Sequence, residues 1–286
     1  MKSNIRLKQV IIIAAILLLV GFLFSREIKG LVVPKQETAQ MPPATQQNTA
    51  TLSLEEASAT AKNLVSTATA KDITLLERKY QTAKTEEKIA NAKLLAQKWE
   101  DFEQSVPSAL YLEVVANSEP SLNNWLNTGN RFLKAFDNTQ DSLVLPVMLQ
   151  KANAAFTKAL TIDSTNNEAK TGLGISIVNG MGAPMQGIAM LMDVVKKDPK
   201  NLKANMNLGM FAIKSGQFDK AIIRFNDIIS NIKATPDAYF YLATAYENLG
   251  KKQEAIDAYL NSKKLAANPT LTKFIDSKVT ELKNKR

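Results

Sequence analysis

The chain has 286 residues, 45% of them hydrophobic, and a formal net charge of +9, enough material for a folded body with a sizeable core. It contains no Cys and no His, which excludes disulfides, thiolate metal sites, a Ser-His-Asp triad and a typical zinc site. Much of the charge sits at the ends, six Lys/Arg against two Glu in residues 1–50 and five against two acids in 270–286. A nucleic-acid binder instead gathers its cations on one folded face among stacking aromatics, so no nucleic-acid partner is expected.

Residues 10–24, VIIIAAILLLVGFLF, carry no charged or strongly polar side chain. As a helix they cover only about 22 Å of the roughly 30 Å hydrocarbon core. Leu7, Gln9 and Ser25 lengthen the run, with Arg6, Lys8 and Arg26 placed to snorkel. A cleaved signal peptide has an apolar region of this length too, but it needs small residues before the cut. Here bulky Leu23 and Phe24 stand beside Ser25. A single transmembrane anchor within 1–33 is therefore expected. Lys2, Arg6 and Lys8 before it, against Arg26 and Lys29 after it, put the N-terminus in the cytoplasm and the body outside, which in a bacterium is the periplasm. Residues 34–51, rich in Pro, Gln and Thr without apolar period, read as a flexible linker.

A helical region is expected over 52–121. Ser53 stands three residues before Glu56, a capping box, and DITLLERKYQTA adds a second helix. AKLLAQKWEDF, with Trp99 and Phe102, and the stretch opened by Pro107 and running through Ala116 read as two more. Residues 88–121 look like a worn copy of the unit that follows. In 122–167, Trp125, Gly129 and Phe132 precede a second helix with Ala152, Phe156 and Ala159. Gly129 and Ala152 are 23 residues apart where later units have 12, so an insertion lies near 136–146, as a longer helix pair or a projecting loop. Residues 168–201 carry Leu173-Gly174 one residue early, with Gly187, Leu191 and Val194 in register; Gly180, Gly182 and Pro184 mark the turn that absorbs the extra residue. In 202–235 and 236–269 the match is closest. At an offset of 34, Leu242-Ala243 falls on Leu208-Gly209, Gly250 on Gly216, Ala255 on Ala221, Tyr259 on Phe225 and Ser262 on Ile228. Small residues let two helices approach, glycine serves the turn, and the aromatic fills the space between units. Residues 270–286 place Leu271, Phe274, Ile275, Val279 and Leu282 on one helical face, a cap for the last apolar surface.

These residues at this period resemble the tetratricopeptide repeat family. The resemblance implies an all-α, right-handed solenoid of helical hairpins that binds an extended peptide or a partner helix in a concave groove. It also implies that the first helix of each unit lines that groove. Read at one fixed phase, the groove residues are Leu126, Asn130 and Lys134; Thr171, Ile175 and Asn179; Met206, Met210 and Lys214; and Phe240, Thr244 and Asn248. The Lys, Asn and Arg set with which some members clamp a terminal carboxylate is not reproduced at these positions. Met181, Met185, Met190, Met192, Met206 and Met210 cluster across two units. Those on second helices read as core fillers, while Met206 and Met210 suit either core or an adaptable groove. Tyr239, Tyr241, Tyr246 and Tyr259 read as packing between units, Asn123, Asn124 and Asn201 as caps and turns, and Asn130 as a binding residue.

Glu55-Glu56, Glu86-Glu87 and Glu100-Asp101 are adjacent pairs that diverge on a helix, so no catalytic constellation, metal site or cofactor is expected. The expected role is a non-catalytic, membrane-anchored adaptor for a protein or peptide partner of the envelope. This layout is similar to that of bacterial anchored tetratricopeptide proteins assisting secretion, folding or envelope assembly. A holdase-like chaperone with many clients and a structural subunit of an envelope assembly are the rivals.

Overall fold

The structure, a computed structural model, describes residues 52–180 and 182–284. The expected anchor, the linker over 34–51, Met181 and the last two residues lie outside them. Thirteen α-helices and one short π turn make up the described residues, with no strand among them. The first four are α1 (Leu54–Lys62), α2 (Thr67–Thr82), α3 (Thr85–Asp101) and α4 (Ser105–Ser118). Next come α5 (Leu122–Asn138), α6 (Val144–Ile162), α7 (Asn167–Gly180) and α8 (Pro184–Lys197). Then follow α9 (Leu202–Lys214), α10 (Phe218–Asp227), continued by the π turn Ile228–Ile232, α11 (Pro236–Asn248), α12 (Lys252–Leu265) and α13 (Pro269–Asn284). Apart from α1, which leans chiefly on α4, each helix packs chiefly on its neighbours in the chain, as in a solenoid. Among these residues no helix is long and apolar enough to cross a membrane.

Local chemistry explains where the helices start and stop. Side-chain oxygens of Ser53, Ser66, Ser121, Asn201 and Thr235 accept from backbone amides of the first turns they precede, and Ser53 with Glu56 completes the capping box. Between paired helices the chain turns through a left-handed residue: Gly182 at φ 69°, Gly216 at 72° and Gly250 at 71°. The α3–α4 turn has the same hydrogen bonds, Glu103 N–H to Glu100 O and Gln104 N–H to Trp99 O, but with Glu103 at φ 57°. A side chain there is strained where glycine is not. Glu103→Gly is therefore expected to raise stability by about 0.5–1 kcal/mol, the relieved strain exceeding the entropy glycine loses on folding. Urea denaturation checks this, and an unchanged midpoint would refute it.

The core follows the small-and-aromatic pattern. Phe156 of α6 is fully buried against Gly129 of α5 and Gly172 of α7. Phe225 faces Gly209 in the same way, and Leu191 faces Gly174. Most of the excess residues between Gly129 and Ala152 are helical, with the rest in a longer connection: α5 and α6 run 17 and 19 residues against 13 and 14 in α11 and α12. At the N-terminal end, Ile73, Leu95, Trp99 and Tyr111 form a core that joins α2, α3 and α4. There the Glu77 carboxylate accepts hydrogen bonds from Ser58, from Lys62 and, at 3.4 Å, from the Tyr111 hydroxyl. At the other end α13 closes the array, burying Ile275, Val279 and Leu282.

Candidate groove across the first helices

Helices α5, α7, α9 and α11, the first of their pairs, share a groove of about 1040 Å³. Its apolar floor is Leu133, Phe136, Ile175, Met206, Met210 and Phe211. The lengthened end of α5 supplies Phe136, Asp137 and Asn138, so the extra helical residues build one wall. The groove runs obliquely. It uses the C-terminal half of α5, most of the length of α7 and α9, and only the N-terminal half of α11, through Asp237 and Tyr241.

Polar groups line its sides in matched signs: Lys134, Lys203 and Lys214 against Asp137, Glu168 and Asp237. The Lys203 ammonium donates to Asn130 Oδ1 at 2.7 Å, and Asn130 Nδ2 donates to Glu168 Oε1 at 2.6 Å. This short relay ties α5, α7 and α9 together. Lys214 donates to Asn179 Oδ1 at 2.9 Å, and Lys134 to Glu100 at 2.6 Å. Asp137 makes no hydrogen bond or ion pair among the described residues, though Lys203 and Lys214 lie near enough to act on it. Both Asp137 and Lys203 keep contact with solvent at the mouth while the walls crowd them. Partial desolvation accordingly pushes the Asp137 carboxyl up, against the pull of the two lysines, and pushes the Lys203 ammonium down, against Glu168 and Asp137. Burial first, then Asp237 and Asp137, raises the Tyr241 phenol. No cluster of three or more metal-ligating side chains occurs among the described residues.

Seven of the twelve residues read from the sequence line this groove: Asn130, Lys134, Ile175, Asn179, Met206, Met210 and Lys214. The other five do not. Leu126 is buried in the core, and Thr171 is buried with its hydroxyl on Asn167 O. Phe240 holds the position in α11 that Met206 holds in α9, but its ring meets Phe274 of the closing helix at 5.8 Å and Tyr259 at 5.5 Å. Thr244 and Asn248 lie beyond the groove's end and bond back to Phe240 O and Thr244 O. A fixed phase fails because the groove slants across the helices and because α13 covers what would be the next stretch. Asp137, Glu168, Lys203, Asn207, Asp237 and Tyr241 were missed. Lys203 and Asn207 could have been found by stepping outward from Met206 and Met210 by one turn. Tyr241 is thus a groove residue as well as a packing one. Met185 and Met192, expected as core fillers, are instead exposed.

Residues 237–268 match the tetratricopeptide repeat model. The array is tetratricopeptide-like. Among solved structures, that of PilW, a widely conserved type IV pilus biogenesis factor, is similar at a TM-score of 0.52 and 18% identity, over 68% of this chain and 85% of that one. YrrB, a TPR protein with an unusual peptide-binding site, gives a TM-score of 0.41 at 15% identity, covering 65% and 91%. MamA gives 0.43 at 20%, covering 59% and 92%. At these identities the PilW likeness is one of fold. No curated protein matches the sequence.

Proposed function

We propose that the chain is a non-catalytic adaptor that holds a segment of another protein in the groove across α5, α7, α9 and α11. Residues 10–24 anchor it in a membrane, with the N-terminus in the cytoplasm and the solenoid in the periplasm. The groove carries the adaptor reading. It crosses four helices, and its apolar floor is flanked by amides and charges of both signs. Such a surface suits an extended segment of mixed side chains better than one small molecule, and its balanced charge does not suit a nucleic-acid backbone. Met206 and Met210, both only half-buried, give the floor the adaptability that favours a holdase as the second reading.

The test is in-cell photocrosslinking from a probe at Met210, compared with one at exposed Lys264 on α12. One or two discrete adducts from Met210 alone support the adaptor. A smear of many adducts gives the groove to a holdase, and equal labelling from both sites removes its importance. Lys203→Glu, which breaks the relay to Asn130, is expected to weaken capture of a discrete partner about tenfold, the equivalent of one charged hydrogen bond.

A further inference from the structure

We infer a second docking surface on the outer face of the array, in the channel between α8 and α10, whose occupant is an amphipathic helix with an acidic edge. The channel has a volume of about 640 Å³ and is floored by Leu208, Phe211 and Ala212 of α9. Its α8 wall is Met185, Ile188 and Met192, spaced so that all three share one helical stripe. Opposite stands Ile223 of α10. Met185 is 74% exposed, Met192 55% and Ile223 71%. Single apolar side chains on a surface need no explanation, but several gathered along one channel mark an interaction site.

The two walls differ, and the difference selects the occupant. The α8 wall within the channel carries no charge, whereas the α10 wall carries Lys220, Arg224 and Asp227 at one-turn intervals. Asp227 already accepts from Asn231 at 2.7 Å. Lys220 donates to Gln217 and Arg224 to Asn205, both neutral amides, and neither cation forms an ion pair among the described residues. Asp227 already acts on Arg224, one turn before it, so the unbalanced charge on that side is the Lys220 ammonium, which calls for a carboxylate. A helix satisfies both walls at once, with an apolar stripe against the methionines and the floor and an acidic row along the α10 side. An extended strand puts successive side chains on opposite faces, so with its apolar face on the floor its acidic residues would point away from the channel rather than at the α10 wall. Methionine supplies adaptable packing for the incoming side chains.

The test uses the full-length chain and a fluorescein-labelled probe peptide of about four helical turns, with Leu on one face and Glu along one edge. A Lys-edge version and a proline-broken version serve as comparisons. By fluorescence anisotropy the Glu-edge helix should bind saturably and at least about tenfold tighter than either. Met185→Asp and Ile223→Asp, at positions too exposed to endanger folding, should each weaken it by about tenfold or more. Lys220→Glu should shift the preference toward the Lys-edge peptide, and Met210→Asp in the other groove should leave binding unchanged. Thermal melts confirm that each variant is folded. Equal affinity for both edges, equal affinity for the broken peptide, or indifference to Met185→Asp overturns the inference. So does self-association that Ile223→Asp abolishes, since the face would then belong to a second copy.

Discussion

Phe156→Ala is expected to cost the array about 3–5 kcal/mol and Gly172→Ala about 2–3 kcal/mol in urea denaturation. The ring of Phe156 is fully buried between two glycines. A Cβ on Gly172 would lie 2.2 Å from its Cζ, and one on Gly129 at 2.7 Å. Ordinarily the tip of a side chain moves aside for a methyl group. Here a swing away from Gly172 drives the ring towards Gly129, so the backbone of α7 has to move instead. The roughly 1 kcal/mol that alanine gains over glycine as a helix former does not offset this. If the clash is the cause, shortening the ring must relieve it. Phe156→Leu should then cost less in the Gly172→Ala background than alone, a coupling of about 1 kcal/mol or more. Strict additivity in the double-mutant cycle would show that the ring's seat is not what the glycines protect.

The second large effect is expected at Glu77. Its carboxylate takes hydrogen bonds from Ser58 and Lys62 on α1 and from Tyr111 on α4, in a region where its own side chain is only 13% exposed. Glu77→Ala leaves the Lys62 ammonium and the Tyr111 hydroxyl without their acceptor near the N-terminal core. The expected loss is about 2–3 kcal/mol, concentrated in α1 and α2. Glu77→Gln, which keeps an acceptor oxygen, should lose less. Hydrogen exchange is the measurement: amides of α1 and α2 should lose protection first, while those of α9 to α12 keep theirs. Uniform loss along the chain would mean that the N-terminal pair is not held by this carboxylate.

These two sites differ in how far the sequence announces them. The small-and-aromatic pairs at Gly209 and Phe225, and the turn glycines Gly216 and Gly250, recur at one offset because each does the same steric job in successive hairpins. Repetition makes such positions legible. The Glu77 network occurs once, joins residues far apart in the chain, and carries no period by which to find it. Glu103 is hidden for the opposite reason: it adopts the turn glycine's conformation without being glycine. The excess between Gly129 and Ala152 was countable in sequence, but its mostly helical form depends on tertiary packing. In the groove, Asn130, Ile175, Met206 and Met210 follow from helical phase alone. The slant that drops Leu126 and Thr171, and the cover that α13 lays over Phe240, depend on how each hairpin is placed on the last.

The open channel between α8 and α10 has a mechanical meaning as well. A pull applied between Leu52 and Asn284 loads the hairpins in series, because each leans chiefly on its neighbours. The seam with the least apolar surface closed across it then gives way first. On the outer side, Met185, Met192 and Ile223 remain in water rather than pressed together. A helix wedged there would act as a splint, raising the force at which this seam opens.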